Sequence, residues 1–222
     1  MIVSCPEYDI IFGTKGDDNM LSYIEQIENE ISKLDPGKVF IANDFLEIAS
    51  YETVRKSLNR LVDDDKIKRV INGFYHNPEY SELIQEYAAP SMHELAIAIA
   101  RKYNWNIAPY GSTALNILGL STQVPSTWTY ISSGRNKTYH VSKRTIVFKK
   151  VKLGEIANMS LKTATIIQAI KALGRDRIRK KDIQTMRSRL SQKEKTELMN
   201  EATAVSAWIY EIIRELCEGE NE

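Results

Sequence analysis

Residues 50–75, SYETVRKSLNRLVDDDKIKRVINGFY, describe a helix running into a tight hairpin. Ser50 is placed to cap the helix, Glu52 falls in its first turn, and Val54, Leu58 and Leu61 recur at helical spacing as one apolar stripe. Tyr51, Thr53, Arg55, Lys56, Asn59 and Arg60 lie off that stripe. The polar break Asp63-Asp64-Asp65 stops the helix. Lys66 to Val70 then has strand character, Asn72-Gly73 is expected to supply the φ > 0 residues of a two-residue hairpin, and Phe74-Tyr75 begins the return strand.

The preceding residues complete a motif. Leu21, Ile24, Ile27, Ile31 and Leu34 predict a first helix, which Asp35-Pro36-Gly37 ends. Val39-Phe40-Ile41 reads as a short strand, and Asn43 or Asp44 as the cap of a short helix through Phe45, Leu46 and Ile48. A turn at Ala49-Ser50 leads into the second helix, so residues 20–78 have the outline of a winged helix-turn-helix. In that arrangement the second helix enters the major groove of DNA.

Arg55 and Asn59 are the expected base readers, because Arg pairs with guanine O6 and N7 and Asn with the adenine edge. Lys56, Arg60, Lys66, Lys68 and Arg69 suit phosphate contacts, and Tyr51, Thr53 and Asn72 complete the expected DNA-binding set. The bland alternative is an ordinary solvated helix face, and winged helices also bind RNA or protein.

The 222 residues suffice for one or two domains. Apolar runs fall short of a membrane span and the N-terminus lacks a signal core, so the expectation is a soluble, cytoplasmic protein. Cys5 and Cys217 suggest neither a disulfide framework nor a zinc site, and His76, His93 and His140 are isolated. The expectation is no metal and no cofactor.

A formal net charge of +1 conceals segregation. No Asp or Glu occurs from Leu95 to Gly154, a stretch that holds Arg101, Lys102, Arg135, Lys137, Lys143, Arg144, Lys149, Lys150 and Lys152. A second basic run spans Lys171 to Lys181, and balancing acids gather at Glu211, Glu215, Glu218, Glu220 and Glu222. Such asymmetry points to a polyanionic or acidic partner. Arg135, Lys137, Lys143, Arg144, Lys149, Lys150 and Lys152 form the expected second basic surface.

Residues 1–19 lack periodicity and are read as a weakly ordered extension, residues 79–90 as a linker with room for a short helix, and residues 91–222 as a second domain. Ser91 and Glu94 cap a helix from Met92, and Ile107-Ala108-Pro109 is a short apolar stretch. Gly111 then makes a turn, Ser112 caps a short helix, and Gly119 ends it. Thr127–Ile131, Thr138–Val141 and Thr145–Phe148 read as strands of a small, mostly antiparallel sheet, with turns at Ser133–Asn136 and Ser142–Arg144. Helices follow at Leu161–Leu173, from Lys180, after Ser191, and through Val205, Trp208, Ile209, Ile212, Ile213 and Leu216. The expected class is α+β, a winged helix-turn-helix followed by a mixed domain with a helical C-terminus.

Catalytic signals are weak. Gly111-Ser112 before a helix is one way to cradle a triphosphate, but the paired carboxylates of two-metal phosphoryl transfer are missing from the acid-free stretch that follows. No GxxxxGK loop, GxSxG elbow or metal-spaced His pair occurs. Asp182 and its neighbouring lysines read as a solvated helix face. A binder rather than an enzyme is expected.

Tyr110-Gly111-Ser112-Thr113-Ala114-Leu115, with Leu118-Gly119-Leu120-Ser121-Thr122-Gln123-Val124-Pro125 and a β segment ending at Phe148-Lys149, resembles the AbiEi-type antitoxins across Met20 to Gly174. The resemblance implies a bacterial type IV antitoxin that represses its own operon and opposes a nucleotidyltransferase toxin encoded beside it. It implies double-stranded DNA with operator repeats as the partner. Operators often mirror a two-fold protein, which makes a homodimer on DNA one arrangement. The long helical C-terminus departs from that pattern. A second reading, from the basic second domain, is an interaction module for RNA or an acidic protein.

Overall fold

The computed structural model describes residues 22–78, 80–82, 85–152, 156 and 159–218. The readings placed on residues 1–19, Leu21, Glu220 and Glu222 fall outside them. Helix α1 (Tyr23–Ser32) is set by a capping box: Ser22 Oγ accepts the Glu25 N–H while the Glu25 carboxylate accepts the Ser22 N–H. After β1 (Val39–Phe40), a 3-10 turn spans Ala42–Phe45. It is shorter than the expected helix, and its Asp44 carboxylate reaches back to accept the Ile41 N–H at 2.9 Å instead of capping a helix ahead of it.

Helix α2 (Tyr51–Asp63) buries Val54, Leu58 and Leu61, and Ser50 caps it through the Thr53 N–H. Strands β2 (Lys68–Ile71) and β3 (Phe74–His76) form the hairpin, and β1 pairs with the far side of β3. Gly73 takes φ +79° and Asn72 does not share a positive φ, contrary to expectation. A register shift between Arg69 and Ile71 supplies local twist in its place. Ile27, Ile31, Phe40, Phe45, Leu58 and Tyr75 share the core of this part.

Residues 79–90 contain no helix among the described positions. Two short strands, β4 (Tyr80–Ser81) and β5 (Glu86–Tyr87), pair antiparallel, with Gln85 at φ +52° in the turn.

Helix α3 (Met92–Lys102) begins at Ser91, whose Oγ accepts the Glu94 N–H. The Glu94 carboxylate pairs with Lys38 at 2.9 Å rather than closing a capping box. Strand β6 (Ile107–Pro109) leads through Gly111, φ +60°, into α4 (Ser112–Ile117). Gly111 is therefore the N-cap and Ser112 the first helical residue, which corrects the assignment of the cap to Ser112.

Strands β7 (Thr127–Ser132), β8 (Lys137–Val141) and β9 (Arg144–Lys150) join β6 in the order β6-β7-β9-β8. β7 and β9 run parallel, from Thr127 opposite Thr145 to Ser132 opposite Lys150. Successive strands are thus not all hairpin neighbours, and the sheet is mixed. Trp128, Tyr130, Ile146 and Phe148 are buried, whereas β8 is mostly exposed, so the two strands with most to bury take the centre and β8 takes an edge. Gly134, in the β7–β8 connection, lets Trp105 approach: a Cβ there would lie 2.2 Å from the indole.

The remainder is helical: α5 (Leu161–Leu173), α6 (Lys180–Arg187), α7 (Gln192–Glu201) and α8 (Ala207–Glu218). Ile167, Ile170, Met186, Leu198, Ile209 and Ile213 form their core. Asp182 is buried, contrary to its reading as part of a solvated face. Its carboxylate accepts both the backbone N–H and the guanidinium of Arg179, and these bonds hold it below the usual carboxylate range. The described chain is a mixed α+β protein with small antiparallel and mixed sheets, and no described helix is long and apolar enough to cross a membrane.

Two measurements check this packing. Thr113 is fully buried and its hydroxyl accepts the Thr129 N–H at 2.8 Å, tying α4 to β7. Thr113→Val strands that donor and is expected to cost about 1–3 kcal/mol in denaturant unfolding. Burial also depresses the pKa of His76 and of His93, whose Nδ1 lies 3.1 Å from the Tyr130 hydroxyl. The unfolded chain takes up these protons near pH 6.5 and the folded chain only below it, so stability is full above about pH 6.5 and falls as pH drops through the lower folded values. Urea melts from pH 7.5 to 5.5 are expected to show this decline, at no more than about 1.4 kcal/mol per pH unit per proton. A His76→Gln, His93→Gln variant is expected to flatten it.

Candidate functional site

Helix α2 and the β2–β3 hairpin enclose a hollow of about 290 Å³. Tyr51, Arg55 and Asn59 enter from α2, Arg69, Asn72 and Tyr75 from the hairpin, and Asn43 from the turn before α2. Lys102, from the end of α3, closes one side, with its Nζ 4.8 Å from the Phe74 ring centroid. Three cations and three asparagines line this space, and no carboxylate does.

The inner wall is built as a clamp. Asn59 Oδ1 accepts from the Arg69 guanidinium at 2.8 Å and from the Tyr75 hydroxyl at 3.3 Å, while that guanidinium lies 5.6 Å from the Tyr75 ring centroid. The helix and hairpin are thereby locked in relative position. The acceptor that Asn59 would need for an adenine edge is already occupied, leaving only its N–H donors. Arg55, by contrast, is tied only to Glu52 at 3.0 Å, an exposed pair on one helix turn. Such pairs hold a side chain weakly, so Arg55 is free to turn outward.

The other expected contacts are distributed differently. Thr53 belongs to the helix cap, its hydroxyl 3.0 Å from that of Ser50. Lys56 is exposed and outside the hollow. Arg60 faces Asp64 at 3.8 Å, Lys66 meets Glu28 at 2.6 Å, and Lys68 pairs with Asp65, so carboxylates offset all three locally. The structure gathers Tyr51, Arg55, Asn59, Arg69 and Asn72 and leaves these four cations and Thr53 outside. Asn43 and Lys102 join the site without being expected there. Lys102 comes from a helix distant in sequence, so local spacing carries no signal of its arrival.

The seven cations of the second basic surface are all exposed, and none has a carboxylate partner among the described residues. They do not share one plane. Strand alternation puts Lys149 on the sheet face of Ile131, and Arg144 and Lys150 on that of Ile146 and Phe148. Lys143 sits in the β8–β9 turn and Lys137 near the ring of Tyr139, at 5.8 Å. Among the described residues no three His, Cys, Asp or Glu side chains converge to hold a metal ion.

These elements define an α+β protein with a cationic, amide-lined hollow at a helix–hairpin junction. The chain belongs to DUF6088, a family of unknown function, which matches residues 26–198. No curated protein matches it. Among solved structures it is similar to the RV2827C protein from Mycobacterium tuberculosis, at 11% identity and a TM-score of 0.40, over 88% of this chain and 76% of that one.

Asn59→Ala removes the acceptor shared by Arg69 and Tyr75. It is expected to lower stability by about 1–2 kcal/mol and to loosen the hairpin, read as faster amide exchange in residues 68–76.

Proposed function

We propose that the chain is a DNA-binding transcriptional regulator of the cytoplasm and not an enzyme. Residues 22–78 act as a winged helix-turn-helix, with α2 as the recognition helix and the β2–β3 hairpin as the wing. The observation that carries this reading is the hollow itself, where Arg55, Arg69 and Lys102 converge without a carboxylate in the lining. Cations and amides gathered at a helix–hairpin junction suit a phosphate backbone beside a groove, because phosphate oxygens accept from both.

In this reading Arg55 and Tyr51 face the bases, Arg69, Lys102 and Asn72 hold phosphates, and Asn59 positions Arg69. The resemblance to AbiEi-type antitoxins supports an autorepressor of a type IV toxin-antitoxin pair, with operator repeats bound by two copies and a nucleotidyltransferase toxin as the product of the adjacent gene. The exposed cations on the α3 side of the sheet, Arg144 and Lys150, extend the footprint on the same polyanion.

The test is a salt titration of binding to DNA from immediately upstream of the coding region, against a scrambled duplex of equal composition. The expected result is at least about hundredfold preference that survives physiological salt. Arg55→Ala is expected to reduce that preference about tenfold or more, whereas Lys149→Ala with Lys150→Ala keeps the preference and lowers the salt slope by about one unit for each phosphate left unneutralised. Equal, salt-labile binding of both duplexes would overturn the reading and favour RNA or an acidic protein as partner.

A further inference from the structure

A second cavity, of about 340 Å³, opens between the β6–α4 connection and α5. Gln168, which is 5% exposed and has no hydrogen-bond partner among the described residues, lines it. Its neighbours on α5, Ile166, Ile167, Ala169 and Ile170, are buried and apolar. Among the described residues the side-chain polar atoms that are both fully buried and unpartnered are His76 Nδ1 and Trp128 Nε1, so the Gln168 amide keeps some exposure. It borders the cavity, where a ligand can meet both its donor and its acceptor.

The remaining walls narrow the ligand class. Leu115 and Ala172 contribute apolar surface, and Tyr110 presents a ring that is 46% exposed at the edge. Lys171, three residues beyond Gln168 on α5, lines the cavity and is exposed, with no carboxylate partner among the described residues. Lys149 Nζ lies 5.6 Å from the Tyr110 ring centroid, adding a second cation beside the mouth. The volume is at the small end of the range for ligand sites, about 300–1,000 Å³.

We propose that this cavity binds a small planar anion: a flat ring between Tyr110 and the Leu115–Ala172 wall, its polar edge read by Gln168, its carboxylate or phosphate held by Lys171 and Lys149. A nucleoside monophosphate and an aromatic carboxylate share this chemistry. The site lies apart from the α2 hollow, with no residue in common, and the proposal does not depend on DNA binding. It gives the second part of the chain a ligand-sensing role.

The experiment is isothermal titration of the full chain with AMP, GMP, CMP, UMP and salicylate, using adenosine and inorganic phosphate as probes that lack the anion or the ring. At least one of the five is expected to bind with Kd below about 1 mM, and the two partial probes at least about tenfold more weakly. Which of the five binds separates phosphate from carboxylate as the anion. Gln168→Leu is expected to weaken binding about tenfold or more without lowering the melting temperature, because the variant removes an unpartnered amide. Lys171→Met weakens it and flattens its salt dependence, and Ala172→Phe fills the cavity and abolishes it. Absence of saturable binding by all five probes overturns the proposal. Binding unchanged in Gln168→Leu and Ala172→Phe places the ligand elsewhere and overturns it equally.

Discussion

Helix α3 is enclosed on two sides, and the rest of the molecule is arranged around that fact. Met92, Leu95, Ala96, Ala98, Ile99 and Ala100 are buried in one cluster with Val39, Ile41 and Phe74 of the first part and Trp128, Tyr130, Ile146 and Phe148 of the sheet. Only Arg101 and Lys102 of the helix are exposed. Arg101 adds a polar tie, meeting the Asp44 carboxylate at 2.7 Å and the Val39 carbonyl at 3.4 Å. A helix with apolar partners on both sides couples them, because separating either would return its buried face to water. The helix–hairpin unit and the sheet are therefore held by one continuous core. That core also brings Lys102 against Phe74 and into the hollow.

The sheet carries the same logic to its other face. Ala108 and Ile131 pack with Ile156 and Ala164, so α5 covers the side that α3 does not. Alternation along β7 and β9 then divides the cations: Lys149 emerges beside α5 and Tyr110, while Arg144 and Lys150 emerge with the α3 side. One acid-free stretch of sequence thus becomes two electrostatic environments. The carboxylates that offset charge elsewhere also act over short range, as Glu28 does for Lys66 and Asp65 for Lys68. A count of basic residues overstates the positive surface of the first part for this reason.

Much of the local structure is legible in the sequence because it depends on neighbours along the chain. The stripe Val54, Leu58, Leu61 and the cap Ser50 mark α2, and the expected helix Leu161–Leu173 agrees with α5 to the residue. Where structure and expectation part, a tertiary partner intervenes in most places. Asp182 is a local exception: its charged neighbours point to a solvated face, yet it is buried and closes a capping box with Arg179, three residues away, a pairing within reach of sequence reasoning. Gln168 sits in an apolar run whose periodicity says only that the face is buried; that its amide borders a cavity depends on α4. The residue type of Asn59 suits a base contact, but the hairpin commits its oxygen to Arg69 and Tyr75.

By itself the sequence determined the longer helices, the β2–β3 hairpin, the strands of 127–148, the segregation of charge and the α+β class, since caps, periodicity and turn residues act within a few positions of the chain; the two-residue strands of 80–87 and the strand Ile107–Pro109 are too short to carry such a pattern. Tertiary structure alone decided the order β6-β7-β9-β8 with its parallel centre, because burying Trp128, Tyr130, Ile146 and Phe148 together outweighs the local ease of pairing successive strands. It also decided the membership of both cavities. Lys102 with Arg55 and Arg69, and Gln168 with Tyr110, meet only after helices and strands far apart in sequence have packed, and no local pattern encodes such a meeting.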